Sequence, residues 1–215
     1  MVARFALTSP PALVRAYFGY PETPDFPPRA AILPTEPIAV VVAGAFSHGA
    51  ARHFVLMRWG FLPGFVKDPA TFPLLINARA ESVLEKPSFR AAFKRRRCLI
   101  PADGFYVGAR AKPALVVRAA EGGPLALAGL HETYLDASGG EIDTACILTT
   151  GAGAALRDVS ERAPVVVPRA EIGVWLDHEA ASLDAALALL RPAPAGLLRV
   201  TPLAGAADID ADTFR

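Results

Sequence analysis

Few residues in this chain are spaced for chemistry. His131 and Glu132 adjoin at the end of the apolar run Leu125–Leu130. Such a pair suits metal binding or proton exchange. The four histidines stand apart, at 48, 53, 131 and 178, and no Cys/His cluster has the ligand spacing of zinc. No metal site and no cofactor is expected. The segment 151–156, GAGAAL, carries glycines but lacks the lysine and spacing of a phosphate loop. It reads as the start of a short helix. Cys98 and Cys146 lie far apart, each in an apolar run. Buried free thiols are the plain reading. A single disulfide stays open, but nothing demands an oxidising compartment.

Charge is distributed unevenly. The net charge is +1, yet residues 86–118 hold nine Lys/Arg against one acid, Asp103. Residues 119–215 hold six basic and fourteen acidic residues. A basic middle in a neutral whole suggests one cationic face, as nucleic-acid binders have. The alternative is a set of solvated charges pointing in several directions. Part of the run Lys94-Arg95-Arg96-Arg97 also suits a helix C-terminus.

The elements that must position these residues are short. Hydrophobic residues make up 53% and charged residues 20% of 215, which fits a folded chain with one sizeable core. A single domain over 1–215 is expected, with 206–215 a frayed acidic tail. Twenty prolines argue against long helices. Residues 3–7 read as a strand. Ser9 and Pro10 read as cap and first turn of a helix reaching about Phe18, with Gly19 past its end. Residues 21–37 contain six prolines and read as largely extended loop. Strands are expected at Ile38–Ala43, His53–Phe61, Leu74–Ala80, Cys98–Ile100, Phe105–Val107, Ala114–Val117, Leu125–Leu130, Thr144–Thr150 and Leu198–Pro202. A short amphipathic helix opens at Pro87-Ser88, with Phe89 and Phe93 four apart on one face. Later helices are expected near 152–158, 170–176 and 180–190. This is an α+β fold: a mostly antiparallel, barrel-like β core flanked by short helices. No apolar run approaches the roughly 18 residues that span a bilayer, and the first residues lack the pattern of a signal peptide. A cytoplasmic location is expected.

Five segments then stand out in order: MVARFALT at 1–8, RWGFLPGF at 58–65, INARAES at 76–82, RRCLIPADGFYVG at 96–108 and SERAPVVV at 160–167. LPTEP at 33–37 and KPSFRAAF at 86–93 connect them. Together they resemble the SRAP family, the SOS response-associated peptidase fold, over residues 1 to about 177. The resemblance implies a protein that handles abasic sites in single-stranded DNA. In that family the residue after the initiator Met is a cysteine, whose amine and thiol capture the aldehyde of an abasic site as a stable ring. An Asn, a Glu and a His manage the protons.

Mapped onto this chain, the Asn is kept as Asn77, but the cysteine is Val2, the Glu is Val107 and the His is Ser160. Valine has no nucleophilic or ionisable atom, so thiazolidine formation and self-processing through residue 2 are expected to fail. The losses look coordinated, with nucleophile, acid and base absent while the scaffold motifs remain. His131 stands where the family usually has a tryptophan, and Glu132 is kept. The family's DNA cleft implies DNA contacts from Arg4, Arg79, Arg90 and Arg162, which suit phosphates. It also implies contacts from Trp59 and Phe65, whose rings suit unpaired bases. Without the resemblance, Trp59 and Phe65 would read as core, and Arg79 and Arg162 as partners of Glu81 or Glu161. The expected partner is single-stranded or gapped DNA, bound non-covalently by a catalytically degenerate member. Two rivals are a weak processing enzyme using the N-terminal amine and a protein-interaction module on the same scaffold.

Overall fold

In the computed structural model, residues 2–44, 51–107, 115–136, 138–178 and 183–202 are described. In chain order the elements are β1 (Phe5–Leu7), α1 (Pro11–Phe18), β2 (Arg29–Ile32), β3 (Pro37–Ala43), β4 (Arg52–Trp59), β5 (Asn77–Arg79), α2 (Pro87–Arg95), β6 (Arg97–Ala102) and β7 (Gly104–Val107). They continue as β8 (Leu115–Ala119), β9 (Leu125–Leu135), β10 (Glu141–Gly151), β11 (Arg162–Pro164), α3 (Ile172–Leu176), α4 (Leu183–Ala188) and β12 (Leu198–Pro202).

Five strands close into a barrel in the order β10-β4-β3-β6-β9 and back to β10. All neighbours are antiparallel except β10 and β4. Beyond the ring, β5 and β11 dock on opposite sides of β10, both meeting it at Thr149. A second, wholly antiparallel sheet runs β12-β8-β7-β1-β2. The expected α+β class and barrel-like core are both present.

The barrel strands are apolar on both faces. β6 is buried at every position, and β3 is buried from Ile38 to Val42. Strands buried on both faces read as continuous apolar runs instead of alternating ones. One face fills the barrel and the other is covered by α2, α3 and the second sheet. Phe89 and Phe93 of α2 are buried as their spacing implies. Arg97 is 1% exposed and locks this layer. Its guanidinium donates to the carbonyls of Phe93, Trp175 and Asp177, so no orphan donor offsets the apolar packing. Cys98 and Cys146 are buried and unpaired with each other, and burial raises both thiols. They flank Gly129 on β9. A Cβ there would come within 2.9 Å of Cys98 Sγ and 3.0 Å of Cys146 O, so only glycine fits.

Four expectations change. Ser9 does not cap α1: its hydroxyl donates to Asp103, which also accepts the Ser9 amide. With Pro10 and Pro11 at the helix start, fewer amides need a cap. The proline-rich stretch contains β2, which pairs with β1 once Pro27 and Pro28 have passed. Residues 152–158 are turns instead of a helix; Gly151 and Gly153 disfavour helix, and bonds from Leu156 and Arg157 back to Gly153 close isolated turns. The strand expected over Leu74–Ala80 shortens to Asn77–Arg79, and those around 125–130 and 144–150 lengthen to eleven residues each. The 206–215 tail, Ala114 and residues 180–182 lie outside the described residues.

Candidate functional site

β1 and β7 bring the start of the chain to the barrel. Phe5 pairs with Phe105 and Ala6 with Gly104. The Tyr106 amide donates to Arg4 O, so the register continues and sets Val107 beside Ala3. From the other side comes β5, held by its parallel pairing of Asn77 with Ile147. Asn77 Nδ2 donates to Val2 O at 2.7 Å. Three of the four mapped positions, Val2, Asn77 and Val107, therefore gather at the chain start.

The chemistry of this cluster is mostly apolar. Val2 is 1% exposed and Val107 is 8% exposed. Asn77 Oδ1 is buried without a partner among the described residues. Buried polar atoms are ordinarily satisfied. No described side chain next to it offers a nucleophile.

Ser160 is elsewhere in its chemistry. Its hydroxyl donates to Arg162 O at 2.7 Å and holds the bend before β11. Among the described residues no hydrogen bond joins it to Val2 or Asn77. Arg162 is structural to a large degree. Its guanidinium forks onto both oxygens of Glu81 at 2.7 and 2.8 Å and donates to Thr149 O at 2.6 Å. The Arg162 bonds hold Glu81 below the usual carboxylate range. Because β5 and β11 flank β10, this pair clasps the two across it.

Arg4 lies over the Tyr106 ring, 3.8 Å from guanidinium carbon to ring centre. Arg4 is mostly covered, with Nε buried and unpartnered. Tyr106 is anchored by its hydroxyl to Ala30 O at 2.6 Å. Arg79 and Arg90 are exposed and carry no ion pair among the described residues. Phe65 is 59% exposed and meets Phe72 edge-on. Trp59 is a correction. It is fully buried, packs edge-on against Phe5 at 5.1 Å, and its indole N–H donates to Ile76 O. Its ring offers no face to a base.

Sequence reasoning missed Tyr106. The signal was present: it is the outward position between buried Phe105 and Val107, opposite Arg4. The His131–Glu132 pair does not act together. Glu132 pairs with Arg96 at 2.6 Å. His131 is buried, and its pKa is pushed down to about 3 by burial, with His178 and Arg96 adding repulsion. Among the described residues no three His, Cys, Asp or Glu side chains form a metal-binding group. No described helix is long and apolar enough to cross a membrane.

The barrel and second sheet bring the chain start to a half-buried asparagine. A family model described as SOS response associated peptidase (SRAP) matches residues 1–206, and the chain belongs to that family. It is 30% identical over 172 residues to abasic site processing protein YoaM of Bacillus subtilis, covering 78% of this chain and 74% of that protein. It is 27% identical over 176 residues to abasic site processing protein HMCES of Mus musculus, covering 66% of this chain and 50% of that longer protein. A crystal structure of a Bordetella bronchiseptica protein superposes with a TM-score of 0.79 at 27% identity, over 95% of this chain and 100% of that one. A Bacteroides thetaiotaomicron protein shares the fold, with a TM-score of 0.80 at 19% identity over 94% of this chain and 91% of that one.

Proposed function

We propose that this chain binds single-stranded or gapped DNA, including DNA with an abasic site, and does so non-covalently in the cytoplasm as part of the DNA damage response. Its relatives are named abasic site processing proteins. The observation that carries the non-covalent reading is the valine at residue 2, whose carbonyl Asn77 holds. The cleft keeps its hydrogen-bonding asparagine, but residue 2 has no thiol. Around it, Arg4, Arg79 and Arg90 supply charge for phosphates and Phe65 supplies a ring for a base. The reading covers a single domain over 1–215.

The test is fluorescence anisotropy with a labelled single strand carrying one abasic site, at two salt concentrations. Binding that weakens steeply with salt is expected, because phosphate contacts release counterions. No binding at low salt would refute the reading and leave a protein-interaction module on this scaffold.

One observation favours a second reading. Asn77 pins the carbonyl of residue 2, so an α-amine exposed by removal of Met1 would be held in the cleft. With an ordinary pKa near ~7.7–8.0, part of it is neutral and able to form a reversible imine with an aldehyde. Borohydride would then trap an adduct that is absent without reductant. The same adduct from a chain with a blocked N-terminus would rule this out.

A further inference from the structure

We propose that Arg118 and Arg199 form a phosphate-binding subsite on the outer face of the second sheet, apart from the cleft at Val2 and Asn77. β8 and β12 are registered so that Arg118 and Arg199 stand directly opposite each other. Side chains of such a pair leave the same face with Cβ atoms about 5 Å apart, and like charges there repel. Both arginines are exposed. Neither has a carboxylate or hydrogen-bond partner among the described residues. Both arginines line one cleft, and guanidinium forks presented to a shared space suit a tetrahedral anion, since each offers parallel N–H donors.

The surroundings are shaped for a ligand. The pair lines a cleft of about 330 Å³ whose other walls are Thr8, Ser9, Asp103 and the Gly122-Gly123 turn. Asp103 shares the cleft and keeps its charge, but no salt bridge joins it to either arginine among the described residues. Its Oδ2 accepts the Thr8 and Ser9 amides and the Thr8 hydroxyl, and its Oδ1 accepts the Ser9 hydroxyl. A Cβ at Gly104 would come 2.9 Å from Arg118 Cγ and 2.6 Å from Val117 O. The stem of Arg118 therefore lies over Gly104 toward β1.

The same pleat links this subsite to the cleft. Tyr106 follows Gly104 by two, and Arg4 precedes Ala6 by two, so all share one face of the sheet with Arg118. Two strand spacings and one side-chain repeat separate Arg4 from Arg118 by about 12 Å. That distance suits a second phosphate of a strand lying on Arg4. The phosphate site stands alone; the DNA backbone as its source rests on the reading given under Proposed function.

The experiment compares the wild-type protein with the double variant Arg118→Gln/Arg199→Gln. Both side chains are exposed, so the fold is expected to survive. Thermal melts are followed in sodium phosphate and in sodium chloride of equal ionic strength. Phosphate excluded from protein surfaces stabilises any fold, so the readout is the difference between the two proteins. The wild type is expected to gain several degrees more in phosphate than the variant gains. In phosphate-free low salt the variant is expected to melt at or above the wild type, because the repulsion is gone. An equal phosphate gain in both proteins overturns the proposal. A second arm uses unmodified single-stranded DNA. A salt slope lower by about 0.7 in the variant identifies a backbone phosphate as the source. An unchanged slope, with phosphate protection still lost, identifies a free phosphate or a small phosphorylated ligand. If the wild type binds no DNA yet is protected by phosphate, the DNA reading fails and the subsite stands.

Discussion

Acid should unfold this protein through His131, and the size of the effect can be worked from its surroundings. The ring sits on β9 opposite Ala145, 8% exposed, with no hydrogen bond among the described residues. Burial pushes its pKa down to about 3 from an ordinary 6.5. Above 6.5 the ring is neutral in both folded and unfolded chains and pH changes nothing. Below 6.5 the unfolded chain takes up a proton that the folded one refuses, so stability falls as pH falls, until about pH 3. At pH 5 the gap from 6.5 is about 1.5 units, which at ~1.36 kcal/mol per unit is about 2 kcal/mol lost relative to neutral pH. The comparison is urea unfolding of wild type and His131→Phe at pH 7.5 and pH 5. Phe keeps a flat ring of similar size and removes the proton site. The variant should lose about 2 kcal/mol less than the wild type over that interval. It should still lose some, because His178 is also pushed down, to about 4, chiefly by burial. If both proteins lose the same amount, the ring is not the buried neutral base described here.

Three further outcomes follow from particular contacts. Gly129→Ala should destabilise by about 1–3 kcal/mol, the usual cost of overpacking; adding Ile100→Val should recover part of it, because Ile100 Cδ1 lies 2.9 Å from the added carbon; denaturant midpoints decide. Arg79→Ala and Arg162→Ala should separate binding from stability: the first should lower the salt slope for single-stranded DNA by about 0.7 with an unchanged melt. The second should cost about 1–2 kcal/mol of fold through the lost Glu81 and Thr149 bonds. The triple variant Val2→Cys/Val107→Glu/Ser160→His should form a stable cross-link to abasic-site DNA on denaturing gels. A folded, DNA-binding triple variant that forms none would show that the cleft has drifted.

The barrel was legible because its strands are apolar runs bounded by glycine and proline, a pattern set by local burial. Phe89 and Phe93 were legible for the same reason. What was not legible depended on partners distant in sequence. Ser9 looks like a cap until Asp103, 94 residues away, takes both its amide and its hydroxyl. Trp59 looks like a stacking ring until Ile76 O accepts its N–H inside the core. Arg162 was weighed both as a phosphate ligand and as a partner of Glu81, and spacing along the chain could not choose between them. The three-dimensional clasp across β10 does. Closure of the ring through β9 and β10 was likewise hidden, since pairing partners are not encoded in any one strand.

Val2 and Val107 are both covered close to where the chain begins. β1 and β7 set Val107 beside Ala3, and both Val2 and Val107 are almost wholly covered. A carboxylate at 107 in so covered a place costs several kcal/mol unless a donor or cation meets it. The guanidinium of Arg4 is stacked on Tyr106, and Asn77 Nδ2 is taken by Val2 O. Neither is shown reaching position 107. Once residue 2 carries no thiol, a glutamate there has no proton to manage and only its desolvation left. Val107→Glu alone is therefore expected to lower stability, which a denaturant midpoint would check. Asn77 escapes this logic because its amide holds the backbone of residue 2, whatever side chain that residue bears. Its persistence therefore speaks for a cleft still shaped around the chain start, while the apolar pair speaks against covalent chemistry through residue 2's side chain.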